Sequence, residues 1–197
     1  MNNMSIDVVV PIHNEYYNIQ TLIKSVEKDI YPFFTSTKIL FIDDGSNDNT
    51  EEYFMTFSKS SRVNIDYYAL SRKFTKDMAI KCGLDHSTAD LCAVIDGDLQ
   101  QPPQKIVEAF ELIKLGYHIV HIIKADYRIT FVRKAGSKIF AYLINKFAGF
   151  RIHLTDFKLM TRQVVTELRF RKEKNLFFAG TVERIGFDSA YIVYNVN

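Results

Sequence analysis

The amino-acid sequence predicts an α/β fold in which a mostly parallel central sheet carries helices on both faces. One observation is that the apolar runs are short, rich in β-branched residues and not alternating, which is typical of strands buried on both sides. Another is that segments with helical spacing of apolar residues separate these runs. The composition agrees, because 47% hydrophobic and 24% charged residues in a chain of 197 suit a globular domain and exclude a disordered or collagen-like chain.

Strands and helices alternate along the first half. Strands are predicted at 6–12, 39–42, 65–70, 91–95 and 117–123 from their apolar runs. Apolar spacing predicts helices from Asn18 to Ile30 and from about Thr75 to His86. A capping residue predicts a helix from Asp48 or Thr50 to Phe57. Two prolines that suit a first turn predict a helix from Pro102 through Ile113.

The second half opens with a long basic amphipathic segment, 131–150, continues with short helices and ends in a strand at 190–196. Since no linker or internal repeat interrupts the chain, residues 1–197 are predicted to form a single domain. Its halves are 1–115 and 116–197.

Polar clusters follow the predicted strands of the first half. They are His13-Asn14-Glu15, Asp43-Asp44, Ser71-Arg72 and Asp96-Gly97-Asp98. In open parallel sheets, ligands bind beyond the carboxyl ends of the strands. The sequence therefore predicts a binding site at this edge of the sheet.

Asp96, Asp98 and Gln100 form the pattern most typical of a metal site. In an extended segment, side chains two apart point the same way, so three oxygen ligands would converge on one point. All-oxygen ligands favour Mg²⁺ or Mn²⁺, which often keeps positions open for substrate phosphates. The alternative is a plain turn, since Asp-Gly is common in turns.

Other polar residues at these strand ends suit a nucleotide. Asp44 could accept hydrogen bonds from a uracil or guanine edge, and Glu15 from a base or ribose. Arg72 offers a planar fork for a diphosphate or a carboxylate partner, and Lys124 is a further candidate phosphate contact. A loop with a helix cap at Asp43-Asp44 and a solvated Lys124 are the alternatives.

Several classes of protein are disfavoured. The glycine patterns of dinucleotide-binding and P-loop proteins and the Gly-x-Ser-x-Gly of α/β-hydrolases do not occur, and the histidines lack zinc-site spacing. No apolar run reaches the roughly 18 residues of a membrane-spanning helix, and the first residues do not resemble a signal peptide.

Two cysteines suit a reducing cytosol, so a cytoplasmic location is expected. Nucleic acid is not an expected partner, and the sequence does not indicate an oligomeric state.

Charge is unevenly distributed. Residues 121–175 contain 13 Lys or Arg and 4 Asp or Glu, whereas acidic residues outnumber basic ones elsewhere. This polarity favours one surface for carboxylate or metal chemistry and another for anions, with a solvated basic helix as the alternative. The segment 131–150 has the pattern of an interfacial helix for anionic lipid, and packing against the sheet explains its apolar residues equally well.

Four motifs occur in order, at 9–15, 43–50, 71–74 and 96–103. Together they resemble glycosyltransferase family 2, the inverting nucleotide-sugar enzymes with a GT-A fold. The form Asp-x-Asp-Leu-Gln-x-Pro-Pro resembles the branch that loads sugar onto a polyprenyl phosphate. Residues 133–138 and 156–160 are similar to the acceptor-side motifs of that branch.

The resemblance implies roles for individual residues. The nucleoside would be held by Pro11, His13, Glu15, Ile42 and Asp44, and the metal and diphosphate by Asp96, Gly97, Asp98 and Gln100. Lys124 stands where the branch usually has an arginine, and Arg133 and Ser137 would receive the acceptor phosphate. Asp98, Asp156 and Arg133 are the expected catalytic residues.

The chain also departs from the family pattern. His13 replaces a usual Tyr, Lys73 an Asn, and Thr155 and Lys158 the Gly and Arg around Asp156. Ala179 stands where an arginine near the donor diphosphate is expected, with Arg184 five residues further on as a possible substitute. The polyprenyl-phosphate branch usually continues into membrane helices beyond this length.

The expected activity is inverting transfer from a UDP- or GDP-sugar to a polyprenyl phosphate, with Mg²⁺ or Mn²⁺, at the cytoplasmic face of a membrane. Two alternatives stay open: a soluble family 2 enzyme acting on a saccharide or protein hydroxyl, and a catalytically silent nucleotide-sugar-binding subunit. For a hydroxyl acceptor, Asp156 is the candidate base. An ion pair with a neighbouring basic residue is the alternative role of Asp156.

Overall fold

Seven strands of the described residues form one sheet. The computed structural model of the protein describes residues 3–56, 61–125, 155–171 and 177–195. The strands are β1 (Ser5–Ile12), β2 (Ser36–Asp43), β3 (Asn64–Ala69), β4 (Leu91–Val94), β5 (Ile119–Lys124), β6 (Lys158–Thr161) and β7 (Ser189–Tyr194). Their order across the sheet is β3-β2-β1-β4-β6-β5-β7.

Helices separate most of the strands. They are α1 (Tyr16–Asp29), α2 (Thr50–Thr56), α3 (Lys76–His86), α4 (Gln104–Lys114), α5 (Arg162–Phe170) and α6 (Phe178–Arg184), with a 3₁₀ turn at Tyr31–Phe33. The helix starts follow the predicted signals. The Thr75 hydroxyl accepts a hydrogen bond from the Met78 N–H at 3.2 Å, Asp48 accepts one from the Thr50 N–H at 3.1 Å, and Pro103 immediately precedes α4.

The prediction of a mostly parallel sheet is confirmed. β1 pairs in parallel with β2 and β4, β2 pairs with β3, and β5 pairs with β7. The exception is β6, which lies antiparallel between β4 and β5. This four-residue strand was not predicted, because it begins with a lysine and is too short to show a pattern.

Each face of the sheet packs against helices. Val8 and Val10 of β1 face α1 and α4, while Val9 between them faces α3, and all three valines are fully buried. Burial on both faces explains why the apolar runs do not alternate. Each such side chain contributes roughly 1.5–3 kcal/mol by leaving water.

A glycine allows α3 to approach the sheet closely. A Cβ on Gly83 would lie 2.3 Å from Cγ1 of Val9, so no side chain fits between this helix and β1. The close approach fixes the position of α3 above the sheet. The first residue of α3, Lys76, thereby lies at the edge where β1, β2 and β4 end.

The reversed direction of β6 also matters for this edge. Because β6 is antiparallel to β4, the residues just before β6 lie beside the residues just after β4. Asp156 is thus brought to the edge that carries Asp96.

The predicted segment 131–150 lies outside the described residues. None of the helices in the described ranges has the length and apolar character that a bilayer crossing requires.

Candidate active site

A cleft of about 230 Å³ opens at the carboxyl edge of the sheet. As the described residues form it, the cleft is lined by Pro11, Ile12, His13, Glu15, Asp44, Lys76, Asp96, Gly97 and Asp98. These residues come from the ends of β1, β2 and β4 and from the start of α3. The sequence prediction of a site at this edge is therefore matched by a cleft lined mainly with the predicted polar residues.

The loops after β1 and β2 are joined by hydrogen bonds. Asn14, with φ of 59°, accepts a hydrogen bond from the Asn47 N–H at 2.8 Å, and its own N–H donates to the Ser46 hydroxyl at 2.8 Å. Glu15 accepts a hydrogen bond from the Asn18 amide at 2.5 Å, which leaves its side chain at the cleft wall. The Nδ1 atom of His13 is buried with no hydrogen-bond partner among the described residues.

Adjacent aspartates at the end of β2 have different surroundings. Asp43 accepts hydrogen bonds from the N–H and hydroxyl of Ser46 at 2.7 and 2.6 Å, and from the Tyr67 hydroxyl at 2.8 Å. Burial together with this carboxylate raises the pKa of Tyr67 well above its ordinary value. Asp44 accepts a hydrogen bond from the Phe74 N–H at 2.7 Å and lines the cleft. Asp43 therefore builds the loop, whereas Asp44 faces the site.

Gly45 brings the loop after β2 into contact with the loop after β3. Its φ is +70°, and a Cβ there would lie 2.5 Å from the backbone N of Lys73 and 2.7 Å from the carbonyl carbon of Arg72. Only glycine suits this close approach. The Arg72 guanidinium lies 4.3 Å from the centre of the Phe74 ring and is exposed outside the cleft lining.

The segment after β4 is a turn and not the extended chain that the sequence reasoning assumed. Leu99 has φ of 63°, and the Gln100 N–H donates to the Asp98 carboxylate at 3.0 Å. The turn carries Gln100 away from Asp96, and the Gln100 side chain contacts Lys124 at 3.3 Å. Gln101 instead holds Asp96, since its amide donates to the carboxylate at 2.8 Å and accepts from the Asp96 N–H at 2.9 Å.

Lys76 links the two parts of the site and was missed by the sequence analysis. Its Nζ lies 2.6 Å from Oδ1 of Asp96 and 3.0 Å from Oδ2 of Asp156. Burial alone would lower the pKa of Lys76, but the two carboxylates outweigh it and raise the pKa above the ordinary value. The single sequence signal was its place at the start of a helix that follows a polar strand end.

A buried lysine lies beneath Asp156. Lys158 is fully buried, donates a hydrogen bond to the Thr155 carbonyl and lies 5.3 Å from the centre of the Phe178 ring. Burial lowers its pKa to about 8, against the opposing effect of Asp156. The bond to Thr155 fixes the turn that presents Asp156 to Lys76.

Similarity to known proteins identifies the family. The profile described as Glycosyl transferase family 2 matches residues 7–176, which is most of the chain. The chain belongs to glycosyl transferase family 2. Its relatives include a Bactoprenol glucosyl transferase of Shigella phage SfX, 32% identical over 197 residues, which cover 97% of this chain and 63% of the relative. An Uncharacterized glycosyltransferase YkcC of Bacillus subtilis (strain 168) is 32% identical over 191 residues, 95% of this chain and 58% of the relative.

Solved structures of glycosyltransferases share the fold. The Mannosyltransferase PcManGT from Pyrobaculum calidifontis in complex with GDP-Man and Mn²⁺ superposes with a TM-score of 0.71 at 14% identity, covering 100% of this chain and 57% of that one. Glucosyl-3-phosphoglycerate synthase from Mycobacterium tuberculosis, in complex with Mn²⁺, UDP and glucosyl-3-phosphoglycerate, gives 0.68 at 19% identity, covering 98% and 71%. The expected GT-A fold of family 2 is thus confirmed. The chain spans about 60% of the length of the curated relatives named above.

Several residues expected from the family 2 pattern do not line the cleft. Ile42 is fully buried in the core between the sheet and α3 and does not line the cleft. Arg72, Gln100 and Lys124 lie outside the cleft lining, and Arg133 and Ser137 lie outside the described residues.

On α6, the position where the family pattern has an arginine is occupied by Ala179. Ala179 is 3% exposed within the core. Arg184 is exposed at the last residue of α6. The first residue of this helix, Phe178, lies nearer the cleft, since its N–H donates a hydrogen bond to Asp77 at 3.1 Å. Arg184 does not line the cleft as the described residues form it, so no substitute for the missing arginine is found there.

The carboxylates of the cleft fit a divalent ion. Burial raises the pKa of Asp96, and the charge of Asp98 raises it further, although the charge of Lys76 opposes the rise. A cation bound between the two aspartates would stabilise the ionised form of Asp96. Within the described ranges no group of three or more Asp, Glu, His or Cys side chains has the arrangement of a metal cage. Mg²⁺ and Mn²⁺ bound to nucleotides commonly use one or two protein carboxylates together with phosphates and water. Asp96 and Asp98 are such a pair.

Proposed function

We propose that the protein is an inverting glycosyltransferase that moves a sugar from a UDP- or GDP-sugar to a polyprenyl phosphate. The observation that carries this proposal is that Asp96 and Asp98 line the same cleft as Asp44 and Glu15, while Lys76 connects Asp96 to Asp156. The names of the phage relatives specify bactoprenol glucosyl transfer, and the names of structural neighbours specify UDP or GDP-mannose with Mn²⁺.

The donor half of the cleft has groups for each part of a nucleotide sugar. Asp44 and Glu15 accept hydrogen bonds from the base and ribose, and His13 lines the same part of the cleft. Asp96 and Asp98 would hold Mg²⁺ or Mn²⁺ against the diphosphate. When bound, the ion neutralises charge that develops on the leaving diphosphate.

Transfer requires one bond to form as another breaks. An oxygen of the acceptor phosphate attacks the anomeric carbon while the bond from that carbon to the diphosphate oxygen breaks, so the configuration inverts and the nucleoside diphosphate leaves. A phosphate monoester with a second pKa of about 6 is ionised near neutrality and needs no proton acceptor. Asp156 then acts through charge and position, and the protein's contribution is to hold the two substrates in line.

A hydroxyl acceptor is the second candidate, and the placement of Asp156 favours it. Its carboxylate is 25% exposed, lies beside the cleft and is held by Lys76. A carboxylate in this position can take the proton of an attacking hydroxyl, which contributes roughly 10²–10⁴-fold to such reactions. The acceptor would then be a saccharide or a protein side chain.

The acceptor lipid also implies a membrane surface. We propose that residues 131–150, which lie outside the described residues, make peripheral contact with anionic lipid through their lysines. Sedimentation with vesicles of phosphatidylcholine, with and without phosphatidylglycerol, tests this contact. Binding that requires the anionic lipid supports it, and absence of binding to both vesicles contradicts it.

The proposed activity is tested by a screen of labelled UDP- and GDP-sugars with Mn²⁺, with and without a polyprenyl phosphate. Formation of a lipid-linked sugar from one donor supports the proposal. Asp98→Asn should abolish the product, while Glu111→Gln, which changes an exposed carboxylate of α4, should not. Binding of a donor without transfer to any acceptor would indicate a silent binding subunit and overturn the proposed activity.

A further inference from the structure

Lys76 lies between two carboxylates that come from distant parts of the chain. Asp96 follows β4, and Asp156 precedes β6, which runs antiparallel beside β4. The Lys76 ammonium lies 2.6 Å from one carboxylate and 3.0 Å from the other. It is therefore the direct electrostatic link between the donor side and the acceptor side of the cleft.

The helix that carries Lys76 is held in place by several contacts. The hydroxyl of Thr75 caps α3, and Gly83 holds the helix against β1. The neighbouring Asp77 accepts a hydrogen bond from the Phe178 N–H at 3.1 Å, which ties the same end of α3 to α6. The backbone of Lys76 is thus fixed at the edge of the cleft, and the ammonium group reaches both carboxylates from there.

Both carboxylate oxygens of Asp96 already have a partner. Lys76 contacts Oδ1 of Asp96 at 2.6 Å, and Gln101 donates to Oδ2 at 2.8 Å. A divalent ion that binds Oδ1 of Asp96 must therefore share this oxygen with the ammonium or displace the ammonium. The ammonium has a second partner in Asp156, so displacement from Asp96 does not leave it without a counter-charge.

We propose that Lys76 is a positioning residue that occupies Asp96 until metal and donor bind, and then holds Asp156 in place for the acceptor. The proposal rests on the proposed function and adds to it a competition between Lys76 and the metal for Asp96. Lys76 weakens metal binding in the free protein and supports transfer in the loaded protein. A lysine with a merely structural role would not have these opposite effects.

The test is titration of the full chain with Mn²⁺ alone, followed by electron paramagnetic resonance. Since a unit charge about 4 Å away interacts strongly in a partly buried site, Lys76→Gln should bind Mn²⁺ at least about tenfold more tightly than the wild type. Lys76→Arg retains the charge and should stay within about twofold. Lys73→Gln, an exposed lysine outside the cleft lining, is the matched control and should not change the affinity.

Transfer gives the second readout. At saturating donor and Mn²⁺, Lys76→Gln should lower kcat by about the same factor as Asp156→Asn does with the same acceptor, without weakening donor binding, because Asp156 loses its partner. If Lys76→Gln does not fold, Lys76→Met removes the same charge and keeps an apolar stem. Equal or weaker Mn²⁺ affinity in a folded charge-removing variant overturns the inference. A wild type that binds Mn²⁺ but shows no transfer overturns the proposed function and leaves the Mn²⁺ comparison to decide the competition at Asp96.

Discussion

The side-chain amide of Gln101 forms two hydrogen bonds with Asp96, one to its carboxylate at 2.8 Å and one from its backbone N–H at 2.9 Å. The pair fixes both the backbone and the side chain of the first aspartate of the Asp-Gly-Asp turn. A carboxylate held in this way keeps its other oxygen, Oδ1, directed at the ammonium of Lys76, which lines the cleft. Gln101, and not its neighbour Gln100, is therefore the residue that prepares Asp96 to bind a cation.

Gln101→Ala should weaken Mn²⁺ binding by about tenfold, because residues that orient a metal ligand contribute roughly 10–100-fold to affinity. Gln100→Ala is the matched comparison and should change the affinity by less than about twofold. Calorimetry with Mn²⁺ and a nucleoside diphosphate measures both. A larger loss in Gln100→Ala would show that Gln100 is itself a ligand, as the sequence pattern predicts.

The two aspartates at the end of β2 should separate stability from binding. Tyr67→Phe removes the hydrogen bond to the buried Asp43 and should lower the free energy of unfolding by about 1–3 kcal/mol, with unchanged donor affinity. Asp44→Asn should lower donor affinity by about tenfold or more. Urea denaturation and donor titration are the two measurements. Loss of donor affinity in a folded Tyr67→Phe variant would place Asp43 in the binding site.

Gly45→Ala tests the contact between the two loops. A Cβ at Gly45 meets backbone atoms at 2.5 and 2.7 Å, in addition to the strain of a positive φ. Gly186 has a similar φ of +77°, but a Cβ there meets no described atom within 4 Å. Gly186→Ala should lower the free energy of unfolding by about 1 kcal/mol, and Gly45→Ala should lower it by distinctly more. Equal losses in denaturant titrations would show that the loops separate without cost.

Lys158 should make stability depend on pH in a particular direction. Its pKa is about 8 in the folded protein, against 10.5 as the ordinary value, so between these values the unfolded chain binds more protons. The free energy of unfolding should therefore rise with pH, by about 1 kcal/mol from pH 8 to 9. Lys158→Met should lose this rise when the two proteins are compared by urea denaturation. Parallel pH profiles would show that the lysine is charged inside the fold.

Asp156→Asn should distinguish the two acceptor classes. With a polyprenyl phosphate the acceptor is already ionised, so a loss of less than about tenfold in kcat is expected. With a hydroxyl acceptor the loss should reach roughly 10²–10⁴-fold, because a proton acceptor is removed. Single-turnover assays with both acceptors measure the ratio. Equal losses would exclude Asp156 as a base and leave it the role of an ion-pair partner for Lys76.

The sequence is most informative where burial alone decides the structure. The strand at the start of the chain is predictable because Val8 and Val9 both enter the core, on opposite faces. The polar residues that follow the buried strands are predictable as site residues, because the carboxyl ends of parallel strands lie at one edge of the sheet. The cleft residues Glu15, Asp44 and Asp96 were found in this way.

Contacts between distant residues were not predictable. Lys76 meets carboxylates that lie 20 and 80 residues further along the chain, and no local pattern marks it. The strand β6 was missed because its burial depends on β4 and β5 on either side. The turn at Leu99 reversed the expected alternation of side chains, which is why Gln101 and not Gln100 reaches Asp96.

The reversed strand β6 has a consequence for engineering this protein. β5 leaves the sheet and β6 re-enters it at the same place, where Thr155 donates a hydrogen bond to the Ile122 carbonyl at 3.0 Å and the Ile122 N–H donates to the Phe157 carbonyl at 2.9 Å. A piece of chain whose two ends are neighbours can be exchanged as a cassette without shifting the strands that flank it. Chimeras that swap the piece between Ala125 and Thr155 should therefore keep the strands on both sides, and with them the cleft at the ends of β1, β2 and β4, in place.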